Sequence, residues 1–162
     1  TIIEVPQTEE VYPAQEARDN FYYRPEGIRS FGGAGRPPEG LKEVNQHTYP
    51  KWWNNTGVLM IQIETLNAIN NIPNFSLDGV DCFSWGPADL SIDRKFHPEH
   101  PFAKTDEAAI EHAVKLSKDN GKQLCIRSYD KTLRNRYFDM GATILMEVQS
   151  MEGTLDKNLP FG

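Results

Sequence analysis

Residues 57 to 91, GVLMIQIETLNAINNIPNFSLDGVDCFSWGPADLS, read as strand, helix, strand and the start of a second helix, with a carboxylate at the end of each strand. From Gly57 to Glu64 the side chains alternate: Leu59, Ile61 and Ile63 share one face, while Met60, Gln62 and Glu64 share the other. A wholly apolar face backed by a mixed one suits a parallel barrel strand, covered outside by helices and ending inside at a polar site. Glu64 is the last inward residue. The next strand, Val80 to Trp85, runs into Gly86-Pro87-Ala88-Asp89, a turn that brings Asp89 to the mouth of the same face. Two carboxylates on adjacent strand ends make a site for a hard cation, although Asp89 taken singly also reads as a helix cap.

Strand and helix alternate outward from this stretch. Before it, Thr1 to Val5 is a β-branched run ending at Pro6, and Thr8-Glu9-Glu10 supplies a cap-like start for a helix that carries Pro13 in its first turn and continues through Asp19. Residues 24 to 50 hold nine glycines and prolines, from Pro25 to Pro50, and read as a long, mostly irregular loop. After the stretch, Asp93 to Lys104 carries Pro98 and Pro101 and reads as another loop, closing at a Thr105 or Asp106 cap. A helix with Ile110, Ala113, Val114 and Ser117 on its buried face then ends at Gly121. Gln123 to Ser128 makes a strand, and Asp130 caps a helix with Leu133, Tyr137 and Met140 inward. Gly141 stops that helix before a last strand, Ala142 to Val148. This alternation predicts a parallel α/β fold in one domain, without internal repeats.

The bulk properties exclude several function classes. The net charge is −6 with basic residues scattered, so no footprint for nucleic acid or an anionic membrane is present. No apolar run approaches the ~20 residues that span a bilayer, and the first residues do not resemble a signal peptide. Cys82 and Cys125 sit in apolar strand-like runs without CxxC spacing, which predicts reduced, buried thiols and a cytoplasmic setting. His47, His97, His100 and His112 show no metal-ligand spacing and receive no role.

Gln62-Ile63-Glu64-Thr65, then Asn70 and Ile72, Gly79-Val80-Asp81 and above all Gly86-Pro87-Ala88-Asp89-Leu90-Ser91 resemble the HpcH/HpaI family of class II pyruvate aldolases (4-hydroxy-2-oxoheptanedioate aldolase-like). Tyr23-Arg24-Pro25-Glu26-Gly27-Ile28-Arg29 is similar to another segment of that family, and the opening TIIEVPQTEE to its fourth barrel strand. The resemblance implies a TIM-type (β/α)8 barrel of which residues 1 to 162 supply strands four to eight as a single portion, the first three strands having no counterpart. The chain is accordingly short for a complete barrel of roughly 250 residues.

The resemblance also implies the chemistry. Glu64 and Asp89 would hold a divalent metal, Mg²⁺, Mn²⁺ or Co²⁺, and a 2-oxo acid would occupy its remaining places while the C3 to C4 bond is cleaved or formed through a pyruvate enolate. Gly86, Ala88 and Asp89 would contact the pyruvate carboxylate, since backbone N–H groups opening a helix attract anions and Pro87 has none to offer. Gln62 and Arg127 are the catalytic candidates, Gln62 by hydrogen bonding in the cavity and Arg127 by its charge; an exposed strand-end arginine is the plainer reading of the latter. Trp85 stands where the family is more often aliphatic and reads as core packing. The family's general base, a histidine paired with an aspartate, comes from strand two, and its arginine from strand three, both before Thr1.

The expected partners are therefore pyruvate or another 2-oxo acid and an aldehyde, in a trimeric or hexameric homo-oligomer or with a polypeptide supplying the remaining strands. Two other readings stand beside the aldolase. One is a non-catalytic assembly subunit or truncated paralogue, suggested by the missing base and arginine. The other is a citrate-lyase-type CoA-ester lyase, against which the Gly-Pro-Ala-Asp-Leu-Ser wording speaks.

Overall fold

A computed structural model describes residues 1–32, 41–128 and 130–147. Five strands form one sheet in chain order: β1 (Ile2–Val5), β2 (Val58–Ile63), β3 (Cys82–Trp85), β4 (Gln123–Ser128) and β5 (Ile144–Glu147). Every neighbouring pair is parallel. Parallel neighbours need crossovers, and helices supply them: α1 (Val11–Phe21) and α2 (Thr48–Thr56) between β1 and β2, α3 (Leu66–Phe75) before β3, α4 (Pro87–Phe96) and α5 (Asp106–Asp119) before β4, and α6 (Arg134–Asp139) before β5. The expected parallel α/β arrangement is present, with β1 and β5 as the outermost strands among the described residues.

The register puts the alternation of β2 to use. Ile61 pairs with Phe83 and Ile63 with Trp85, and these in turn with Leu124 and Ile126. With Leu59, they pack against Ile69, Ile72 and Phe75 of α3 and Ile110, Ala113 and Val114 of α5 in the main core. Each fully buried aliphatic or aromatic side chain contributes about 1.5–3 kcal/mol relative to exposure, so this face fixes the register of the sheet. Trp85 is 1% exposed within that core, as its packing reading anticipated. The opposite face carries a small separate cluster of Met60, Cys82 and Cys125. Both cysteines are free and buried.

Several local expectations need correction. α1 begins at Val11, which keeps Pro13 in its first turn as expected, but runs past Asp19 to Phe21. Thr8 does not cap it; it is buried, its hydroxyl donating to the carbonyl of Pro6 at 3.5 Å. The segment 24–50 is not irregular to its end, because α2 starts at Thr48. Pro50 is tolerated there because a first-turn N–H has no intrahelical partner to lose. Residues 33–40 of that expected loop lie outside the described residues. Asp93 to Phe96 belong to α4 rather than to a loop, and β5 is confined to Ile144–Glu147, Val148 also lying outside the described residues. The caps at Thr105 and Asp130 are present, the latter opening a short 3-10 turn ahead of α6, and Gly121 and Gly141 take positive φ of 72° and 96°. Among the described residues no helix is long and apolar enough to cross a membrane.

Candidate metal and carboxylate site

Glu64 is the first residue past β2 and is 3% exposed. Its backbone is anchored on the C-terminal side by Thr65, which caps α3, its hydroxyl accepting from the N–H of Ala68 at 3.1 Å. Its side chain is anchored from the neighbouring strand, because Oε1 accepts a short hydrogen bond from the N–H of Gln7, two residues beyond β1. Gln7 takes a positive φ of 53°, an uncommon backbone state for a residue other than glycine.

Asp89 is the third residue of α4, and its carboxylate reaches that of Glu64. The two come together because the turn ahead of α4 is tied to the end of β2, the N–H of Gly86 donating to the carbonyl of Ile63 at 2.9 Å. A side chain at position 86 would displace its neighbours, since a Cβ there would lie 2.7 Å from Gln62 Nε2 and 2.7 Å from Glu64 Cβ. Gly86 caps α4 without a side chain, which leaves the first-turn N–H groups of Ala88 and Asp89 without intrahelical partners.

Glu64 and Asp89 open onto a cleft of about 450 Å³ that is also lined by Gln7, Glu9, Glu10, Pro13 and Thr65. Four carboxylates and no basic side chain line it. Burial pushes the Glu64 carboxyl above the ordinary carboxylate range, the Gln7 N–H partly opposes this, and the nearby Asp89 and Glu4 add to the rise. A proton or a cation would relieve that arrangement. Among the described residues no group of three or more His, Cys, Asp or Glu side chains could hold a metal ion.

The sequence-derived residues separate into two groups. Glu64, Asp89, Gly86 and Gln62 come together, but Gln62, expected in the cavity, lies against Gly86 and does not line the cleft. Ala88 is exposed on α4. Arg127 is elsewhere: its guanidinium reaches across the sheet from β4 to form an ion pair with Glu4 on β1, and it does not line the cleft. Gln7, Glu9 and Glu10, which the sequence marks only as a strand end and a helix start, also line the cleft. The rule that found Glu64 and Asp89, functional groups beyond the C-terminal ends of parallel strands, points to them as well when applied to the first strand.

A sequence model described as HpcH/HpaI aldolase/citrate lyase matches residues 1–146. The chain is 33% identical over 148 residues to a 4-hydroxy-2-oxo-heptane-1,7-dioate aldolase of Escherichia coli, covering 85% of this chain and 52% of that protein. It thus spans about half the length of the curated relatives it matches. In fold it is similar to an HpcH/HpaI aldolase/citrate lyase family protein from Burkholderia cenocepacia, with a TM-score of 0.72 at 19% identity over 91% of this chain and 57% of that one. An HpcH/HpaI aldolase from Desulfitobacterium hafniense gives a TM-score of 0.70 at 21% identity over 90% and 56%.

Proposed function

This chain belongs to the HpcH/HpaI aldolase/citrate lyase family, and from that premise we propose that it carries the metal- and carboxylate-binding part of an aldolase acting on 4-hydroxy-2-oxo acids through a pyruvate enolate. The observation that carries the reading is the meeting of Glu64 and Asp89 on one acidic cleft beside the bare backbone of Gly86. The donor set fits a hard divalent cation, which takes oxygen ligands and commonly only one or two protein carboxylates. Glu64 and Asp89 would hold Mg²⁺, Mn²⁺ or Co²⁺, which when bound supplies Lewis-acid polarisation of the 2-oxo group.

The remaining roles fall to the chain itself. The Gln7 N–H fixes one oxygen of Glu64 and so orients the other. The Ala88 and Asp89 N–H groups, at the positive end of α4, receive the carboxylate of pyruvate. Gly86 lets that carboxylate come close, and Gln62 hydrogen-bonds to the substrate from behind. Arg127 acts by charge, neutralising Glu4 on the same face of the sheet. The five strands correspond in this reading to strands four to eight of the barrel in one unit. The acid–base pair and the arginine implied by the family belong to strands two and three, so no proton transfer is assigned to residues 1–162. An aldehyde is the second substrate, and a trimeric or hexameric homo-oligomer, or a polypeptide bearing the other strands, is the expected assembly in the cytoplasm.

The test is Glu64→Gln in the assembled protein, with Mn²⁺ binding followed by electron paramagnetic resonance and oxaloacetate decarboxylation followed by pyruvate release. Loss of both is expected. Unchanged binding and turnover would remove the assignment, and turnover of an acyl-CoA ester instead of oxaloacetate would move it to the citrate-lyase branch.

A further inference from the structure

We propose that Asp93 is a positioning residue that locks the Glu64 turn against α4 and thereby sets the spacing of Glu64 and Asp89; its consequence for metal binding rests on the reading of that pair as a metal site. Asp93 lies four residues after Asp89, so the two share one face of α4. While Asp89 meets Glu64, Asp93 Oδ2 accepts a hydrogen bond from the N–H of Leu66 at 2.7 Å. Leu66 is the first residue of α3, two positions after Glu64, and its side chain is 2% exposed in the core.

This bond is not needed to start α3, which already has its own cap in Thr65. It joins two elements. The first-turn N–H of Leu66 has no intrahelical partner, and an anionic acceptor at the positive end of a helix is favourable. Among the described residues one other backbone hydrogen bond ties the start of α4 to the end of β2, from the Gly86 N–H to the Ile63 carbonyl. Leu90, buried in the core, and Arg94, paired with Asp106, hold α4 to the body of the fold. Asp93, seven residues beyond Gly86 and about 10 Å along the axis, adds a bond directly to the segment that carries Glu64 and so constrains the orientation of Asp89 relative to it. Another four residues along the same face, His97 Nε2 stands 3.6 Å from Asp93 Oδ1, on the carboxylate oxygen that Leu66 does not use.

The experiment compares Asp93→Ala and Asp93→Asn in the full protein by three readouts: hydrogen exchange of residues 64–68 without metal, Mn²⁺ affinity, and thermal midpoint. Asp93→Asn keeps an oxygen that accepts from Leu66; Asp93→Ala does not. Expected is faster exchange confined to 64–68 in Asp93→Ala and Mn²⁺ affinity weaker by about 10-fold or more, the usual scale for groups that orient metal ligands. Asp93→Asn should rescue both. Parental exchange at 64–68 in Asp93→Ala overturns the proposal. So does an equal fall in thermal midpoint in both variants with all amides exchanging faster together, which marks a purely structural role. If the parent itself binds no Mn²⁺, the metal reading falls, while exchange at 64–68 still decides whether Asp93 holds the turn.

Discussion

Gly86 stands against Glu64 with no room for a side chain: a Cβ at position 86 would lie 2.7 Å from Glu64 Cβ and 3.2 Å from its Oε2. The backbone of the α4 turn is thus the wall on which the Glu64 side chain rests. Gly86→Ala must displace Glu64, Gln62 or the turn itself, and overpacking of this kind costs about 1–3 kcal/mol. A lowered thermal midpoint together with loss of Mn²⁺ binding is expected. A variant of unchanged Mn²⁺ affinity would show that the contact does not set the Glu64 geometry.

The inner-face thiols should be inert. Burial pushes Cys82 up to about 11 and raises Cys125 as well, each assisted by nearby negative charge. Because the thiolate is the nucleophile, a thiol near 11 reacts at pH 8 at least about a hundredfold more slowly than a free one. Ellman's reagent should label the folded protein slowly and both thiols rapidly after unfolding in urea. Fast labelling of the native protein would mean that the inner face is open to reagents.

Arg127 and Glu4 couple strands that are not neighbours, and their side chains retain 28% and 21% exposure. Arg127→Met leaves Glu4 half-buried without its partner, at a cost of about 1–3 kcal/mol, toward the lower end because both groups still see solvent. Removing both charges in Glu4→Gln/Arg127→Met should recover much of that loss. A double-mutant cycle by urea denaturation measures the coupling. Additive losses would indicate that Arg127 acts independently of Glu4.

The legible parts of this molecule are those set by short-range spacing. Leu59, Ile61 and Ile63 announce a buried face by period two, and Gly86 to Asp89 combine a close-approach glycine, an N1 proline and a first-turn carboxylate within four residues. Contacts between distant segments left no such trace. Gln7 meets Glu64 across 57 residues and Asp93 meets Leu66 across 27, and neither partner has a residue type that demands the other. The start of α2 was obscured for a different reason. Proline at position 50 signals a break when counted by composition, yet it is harmless in a first turn. Arg127 reads from the sequence chiefly as an exposed strand-end arginine; its pairing with Glu4, which leaves it 28% exposed, joins two non-neighbouring strands and is encoded in neither alone.

The buried Glu64 makes the metal-free protein sensitive to pH in a definite direction. Burial, reinforced by Asp89, raises its carboxyl above the ordinary value, so the folded chain keeps that proton to higher pH than the unfolded chain does. The stability contributed by this group is therefore complete below the unfolded carboxyl value and is lost as pH rises through the folded one. Above the unfolded carboxyl value the metal-free parent therefore bears a folding cost at Glu64 that a neutral side chain at this position does not. Glu64→Gln removes that cost while keeping an oxygen for the Gln7 N–H. Without metal, the variant should have the higher thermal midpoint at pH 7, with the difference shrinking as pH falls to about 4. Excess Mn²⁺ should reverse the order, because a ligand bound only by the folded parent stabilises it by about 2.7 kcal/mol at a hundredfold excess over Kd. Melting curves of both proteins at several pH values, with chelator and with Mn²⁺, measure each part. A metal-free Glu64→Gln protein that melts below the parent at pH 7 would show that the carboxylate is stabilised by the fold rather than held there for a cation.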